Sequence, residues 1–316
     1  MSARFGEIPV KANVAISAGL IALSLLLYVG IPLWILPTSP WLAFGLAAMI
    51  VLATTTFWAI IHEAIHAKIH PSSRWNDAMG RILCIFFGSP FQLLRFGHLM
   101  HHKFNRSPID RSEVVELDAV RSRAGSLNYY VKLLAGLYLL ELIASPLSLG
   151  SKRIFSKIVM GAFGAEAPDG RTMRVAAQAQ ILENPGYRRI QLDGLIVTLL
   201  LAASFWLYGR YWWLLALALL ARGFLISFFD NAYHYGNPLD EELASYNLRL
   251  PKLAEKFILN FNMHATHHRY PRMPWSVMPA MFARDGEIYH HGYFSAANRQ
   301  LNGMLHAADL QKPAAP

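Results

Sequence analysis

Thirteen histidines occur among the 316 residues, and nine of them fall in four places. The first is His62-Glu63-Ala64-Ile65-His66, whose ends are spaced i, i+4 and so share one face of a helix. Two more are His98-Leu99-Met100-His101-His102 and His264-Ala265-Thr266-His267-His268, each with the spacing i, i+3, i+4. That pattern predicts three imidazoles on one helical face. The ninth is His234, in Asp230-Asn231-Ala232-Tyr233-His234-Tyr235-Gly236. Neutral imidazole is a good ligand for iron, copper and zinc. A lone histidine on an apolar face is usually structural, whereas this repeated spacing points to metal chemistry. Nine imidazoles are too many for one ion and suit two ions with open positions for oxygen. A site of that kind can take hydrogen from an unactivated C–H bond. Loss of a second hydrogen gives a double bond, and oxygen insertion gives an alcohol. Substrate placement to within about 1 Å chooses between them.

The elements that must carry these residues are apolar. Hydrophobic residues make up 54% of the chain and charged residues 16%, against about 25% charged in soluble domains. Four runs are long enough to cross a bilayer, at about 14–36, 41–61, 191–208 and 211–229, since roughly 20 apolar residues span the hydrocarbon core. Residues 37–40 and 209–210 separate them into two hairpins. The expected fold is all-α: an integral membrane protein with four transmembrane helices in two hairpins, interfacial helices and a cytosolic histidine-rich cap. One domain is expected over 14–285, after a cytosolic segment 1–13 and before a tail 286–316. Arg4 and Lys11 precede the first run, which is read as an uncleaved span because it exceeds a signal peptide's apolar core. Gly80 to Leu94 and Leu127 to Leu149 are apolar but interrupted by charges, glycine or proline. Both are read as lying in or dipping into the interface, and the second has the composition to cross.

Lys and Arg crowd into 62–190 and the part beyond 230, while the hairpin turns hold only Arg210. The positive-inside rule then puts both termini and every histidine box on the cytoplasmic side. The net charge of +9 fits anionic headgroups beside the spans, not nucleic acid. The basic segment 151–190, with Arg188 and Arg189, is a solvated connector that can meet headgroups. The single cysteine, Cys84, rules out a cysteine-ligated cluster.

Glu63 and Asp230 are candidates to orient imidazoles, a common task for carboxylates, and Asn231 and Asn262 stand near the boxes as further candidates. His70 fits a helix end or a supporting position better than a ligand, because Pro71 follows it. His290, His291 and His306 are read as surface residues. Arg222 sits within the last span, where a charge is a functional candidate, and a salt bridge or snorkelling is the plainer expectation. Trp206, Trp212 and Trp213 fit an interfacial aromatic belt.

The boxes His62-x3-His66, His98-x2-His101-His102 and His264-x2-His267-His268, with Arg269-Tyr270-Pro271-Arg272-Met273-Pro274-Trp275 after the last, resemble the membrane fatty acid desaturase superfamily. That superfamily also holds lipid and carotenoid hydroxylases and ketolases. The resemblance covers roughly residues 40–285. It implies four spans, a cytosolic di-iron centre, and oxidation of a lipid by O2 and two electrons, with fatty acyl desaturation the leading expectation and hydroxylation or ketolation the alternative. It also implies His234 as a ligand after the last span. No cysteine cluster or haem signature is fused here, so a separate ferredoxin, cytochrome or reductase is implied as electron donor. Some desaturases place a water-holding asparagine four residues before that histidine, where this chain has Asp230 and then Asn231. Alkane hydroxylases carry a similar His-Tyr-Gly.

Two rival readings remain open. His62-Glu63-x-x-His66 matches a zinc protease pattern with Glu63 as general base, and Asp193 in Leu192-Asp193-Gly194 resembles the aspartate motif of site-2 proteases. That reading leaves seven boxed histidines without a task. A metal transporter would line the middle of several spans with ionisable residues, and apart from Arg222 the middles of these spans lack them.

Overall fold

Pro40 sits in the first turn of a helix whose N-cap, Ser39, accepts a hydrogen bond from the Leu42 amide at 3.3 Å. Proline costs nothing there, because that N–H would be unsatisfied anyway. In the computed structural model this junction joins two long apolar helices, Val10–Ile35 and Pro40–Ile65. The structure describes residues 6–116, 122–167, 169–241 and 243–310. Arg4 and the ends of the expected N-terminal and C-terminal segments lie outside them. Pro32 lies inside the first helix, which widens to a π form over Leu26–Ile35 and so accommodates the missing donor.

Four stretches are long and apolar enough to cross a membrane: Val10–Ile35, Pro40–Ile65, Arg123–Leu149 and Gly186–Tyr233. The last folds back at Gly209, where φ is +50°, giving the helices Gly186–Tyr208 and Trp212–Asp230. Gly194 and Gly223, one on each arm, abut the same Arg123–Leu149 helix, at Ser145 and Ser148 and at Ala135 and Tyr138. The two hairpin turns stand side by side, with Pro37 and Pro40 beside Tyr208 and Tyr211. Trp34, Trp41, Trp206, Trp212 and Trp213 are exposed around that end. The chain is thus an all-α integral membrane protein. The helices run somewhat beyond the expected spans, because polar residues such as His62 and Glu63 continue the last turns.

Of the two expectations for Gly80 to Leu94, lying in the interface or dipping into it, the second fits. Two helices, Ser73–Phe87 and Phe91–Phe104, meet at 101°, and their tip is buried among the spans. Gly88 takes φ +106°, and a Cβ there would stand 2.3 Å from Leu142 Cδ2, so only glycine fits. Lipid cannot satisfy the carbonyls of such a tip, and three side chains from two other helices do so instead. Tyr28 Oη donates to Phe86 O at 3.1 Å, Tyr138 Oη to Phe87 O at 2.5 Å, and Ser145 Oγ to Gly88 O at 3.3 Å. Arg222 differs from expectation, since neither snorkelling nor a salt bridge describes it. It is 1% exposed and lies between the Phe57 and Phe87 rings. Its Nη1 donates to Tyr28 Oη at 2.9 Å and to Phe86 O at 3.4 Å. The carbonyl end of a helix carries partial negative charge, which supplies the partner that lipid lacks.

The segment expected as a tail is packed through residue 310. Val114 and Val115 pair with Leu305 and His306, and Tyr235 Oη donates to Gly303 O at 2.7 Å.

Candidate metal centre

Each histidine box is delivered by a helix end. His62 lies in the last turn of Pro40–Ile65 and His66 caps it. His98, His101 and His102 lie at the C-terminal end of Phe91–Phe104, the outgoing arm of the buried tip. His234 caps the short turn Asn231–Tyr233 that continues Trp212–Asp230. The last box occupies a short helix, His264–Arg269. A six-residue helix is not self-supporting, and Asn247 holds its first turn by accepting from the Thr266 amide at 3.1 Å.

All nine boxed histidines come together, in two groups. His62, His66, His98, His102 and His267 form one, and His101, His234, His264 and His268 form the other. The expectation of three imidazoles on one face per box is therefore modified. The i, i+4 pairs stay together, while the i+3 member, His101 or His267, crosses to the other group. The groups adjoin, with the His102 and His268 rings stacked at 4.3 Å.

Within the first group, Nε2 of His98 lies 3.0 Å from Nε2 of both His66 and His102, and His102 lies 3.0 Å from His267. In the second, His234 lies 3.2 Å from His101 and 3.1 Å from His264, and His264 lies 3.2 Å from His268. A neutral imidazole nitrogen offers either one N–H or one in-plane lone pair. It cannot serve two neighbours at once, so these chains are poor hydrogen-bond networks. A cation accepts all the lone pairs together. With metal–nitrogen bonds of about 2.1 Å, ligand atoms at right angles would stand about 3.0 Å apart, which matches. The Nε2 of His62 is buried with no hydrogen-bond partner, as a nitrogen awaiting an ion would be. The residues present therefore fit two metal ions.

Charge supports the same fit. Burial pushes the imidazoles of His98, His102, His234, His264, His267 and His268 below their ordinary range, helped by their neighbours. Burial, with Lys68 and Arg95 nearby, takes His66 down to about 3. Such rings stay neutral and present lone pairs. His101 is the exception. Burial pushes it down, but the Asp110 carboxylate outweighs this and raises it.

The candidate supporting residues make the following bonds. Glu63 Oε2 accepts from the Trp275 amide at 3.1 Å, and Trp275 Nε1 donates to Asn13 Oδ1 at 2.9 Å. Glu63 thereby ties the Pro271–Trp275 loop to the first hairpin. Asp230 Oδ1 accepts from Trp58 Nε1 at 3.1 Å. Asn231 donates to Gln300 Oε1 at 2.6 Å, and Asn262 to Leu248 O at 2.9 Å. His70 Nδ1 accepts from the Ser72 amide at 2.9 Å, at a helix break. None of these bonds reaches a boxed imidazole. His290, expected at the surface, is exposed, and its Nδ1 accepts from the Asn247 amide at 3.0 Å. Asp193 is 1% exposed and paired with Arg81 at 2.5 Å, while His62 and His66 join other histidines. The protease arrangement is not formed.

Two supporting residues were not legible in the sequence. Asp110 Oδ2 lies 2.9 Å from His101 Nδ1. Arg106, paired with Glu113 at 2.5 Å, donates to the carbonyls of His234, Asn237 and Pro238. Both sit in an irregular loop with no periodicity to flag them.

Beside the groups lies a narrow slot of about 20 Å³ lined by Trp58, Ile226, Phe229, Asp230, Phe261 and Tyr293 among others. Its wall touches both groups. The Phe261 ring is 4.8 Å from that of His62 and 4.9 Å from that of His264.

The sequence model of the fatty acid desaturase family matches residues 39–296. No curated protein matches the chain.

Proposed function

The chain belongs to the fatty acid desaturase family, and from that premise we propose that it is a di-iron oxidase that uses O2 and two electrons to oxidise a C–H bond of a membrane lipid, with fatty acyl desaturation as the leading reaction. The observation that carries this reading is the division of nine histidines into adjoining groups of five and four beside an apolar slot. When bound, the iron pair would supply the oxygen chemistry that breaks the C–H bond. The chain supplies the rest. Its imidazoles hold neutral lone pairs in place, and burial of His62, His264, His267 and His268 keeps bulk water away. Thr55, Leu225 and Ile226, on two membrane helices, form part of the slot wall. The slot is far smaller than a whole-ligand pocket, so its apolar walls must part to admit a segment of lipid chain beside the imidazoles. Electrons come from a separate ferredoxin, cytochrome or reductase.

One observation favours hydroxylation as a second reading. The position of the water-holding asparagine is Asp230, and Asn231 is turned to Gln300. Mass spectrometry of host lipids after expression separates the two. Desaturation gives a product short of two hydrogens, hydroxylation a product with one added oxygen, and His101→Ala should give neither. Unchanged lipids with the wild-type chain and a supplied electron donor would sink both. Ile226→Trp should fill the slot and cut product by about 100-fold, with metal content unchanged. Full turnover in that variant would remove the slot from the reading.

The basic flanks support a cytoplasmic histidine end. Cys84 is buried, so a cysteine placed at exposed Arg188 gives a clean label. It should react with an impermeant maleimide only after the cells are opened, and labelling of intact cells would reverse the orientation.

A further inference from the structure

The four-histidine group has an uneven outer boundary. The Nδ1 atoms of His234, His264 and His268 are buried without a hydrogen-bond partner. His101 differs, because its Nδ1 meets Asp110 Oδ2 at 2.9 Å while its Nε2 lies 3.2 Å from that of His234. We infer that Asp110 is a positioning residue for this group, holding His101 with its proton on Nδ1 and its Nε2 lone pair turned inward. A neutral imidazole carries one N–H. An anionic acceptor at Nδ1 fixes that proton outside and leaves Nε2 free for a metal, as carboxylates behind metal-bound histidines commonly do.

The carboxylate is itself held. The Asp110 amide donates to Ser107 O at 3.0 Å, and Arg111 Nη1 donates to Arg106 O at 2.9 Å. Arg106 reaches forward to the His234 carbonyl at 3.2 Å. Val114 and Val115 anchor the far end of the loop on Leu305 and His306. The side chains of His101 and Asp110 are 24% and 16% exposed, so water competes weakly for the bond. One braced loop thus grips the two members of the group that lie outside the last histidine helix. The five-histidine group shares neither residue.

This inference rests on the two-metal reading above, and iron titration tests the two separately. Protein purified in detergent and stripped of metal is titrated anaerobically with ferrous iron, and bound iron is measured after desalting. Wild type should take up two irons per chain. Asp110→Leu, of similar size but with no acceptor, should bind one iron as wild type does and the other about 10- to 100-fold more weakly. Asp110→Asn keeps a neutral acceptor and should lose less than Asp110→Leu. The unfolding temperature of the metal-free protein should be the same in all three. Two irons bound at wild-type affinity by Asp110→Leu would overturn the inference. So would equal weakening of both irons together with a lowered metal-free unfolding temperature, which marks a structural role. A wild-type protein that takes up no second iron would overturn the two-metal reading, and this inference with it.

Discussion

His267→Ala protein, purified in detergent, is expected to bind one iron fewer than wild type and to lose product formation by more than about 100-fold, the upper range for residues that only support a ligand. The expectation follows from position. His267 is 6% exposed, its Nε2 lies 3.0 Å from that of His102, and its ring is 4.3 Å from that of His62. It is the only member of the last box in the five-histidine group, so removing it detaches that helix from one metal. The fold should persist, because Asn247 and the Glu63–Trp275 bond hold the segment by other means. Elemental analysis beside lipid product analysis decides it. A single zinc retained in the variant as in wild type would end the di-iron reading and revive a mononuclear one.

The second large effect lies away from the histidines. Arg222→Met should destabilise the detergent-solubilised protein by about 3 kcal/mol, the upper range for leaving buried polar partners unpaired, and should lower metal content as well. The guanidinium bridges Tyr28 Oη and Phe86 O at the buried tip. Methionine fills similar space without a donor. The Phe86 carbonyl then keeps only Tyr28, and the carbonyl end of Ser73–Phe87 loses its compensating charge. The outgoing arm, Phe91–Phe104, begins just past this tip and carries His98, His101 and His102. A loosened tip therefore reaches both histidine groups along one helix. Arg222→Lys keeps the charge with a point donor and should recover part of the loss. Thermal unfolding read by tryptophan fluorescence gives the stability, and a methionine variant as stable as wild type would show that the tip does not depend on Arg222.

Much of the centre was legible before any folding. Spacing of i, i+4 put His62 with His66 and His98 with His102 because a helix repeats every 3.6 residues. Apolar runs of membrane length, broken at Pro37 to Pro40 and at Gly209, set two hairpins whose histidine-bearing ends lie together. The resemblance of the boxes to desaturases led to the family that the chain belongs to. Other features depend on long-range partners that local pattern does not report. Gly80 to Leu94 was expected to lie in the interface or dip into it because Arg81, Gly88 and Pro90 interrupt it. Its tip is buried because Tyr28, Tyr138 and Arg222, all far away in sequence, cap its carbonyls. Glu63 and Asp230 were candidates to orient imidazoles because carboxylates near histidines often do, and they hydrogen-bond Trp275 and Trp58. The carboxylate that meets one is Asp110.

The sequence by itself determined the metal chemistry available: nine imidazoles, their helical faces, the membrane spans that present them, and a charge bias that puts them at one end. Only the tertiary structure decided how they divide. Sequence neighbours His101 and His102 belong to different groups, because successive side chains on a helix point about 100° apart and each meets whatever lies across from it. Helical period sets the direction in which an imidazole leaves its own helix. Which imidazoles wait across the gap depends on the buried tip, the Arg106 loop and the Trp275 anchor, and those contacts exist only once the helices are packed.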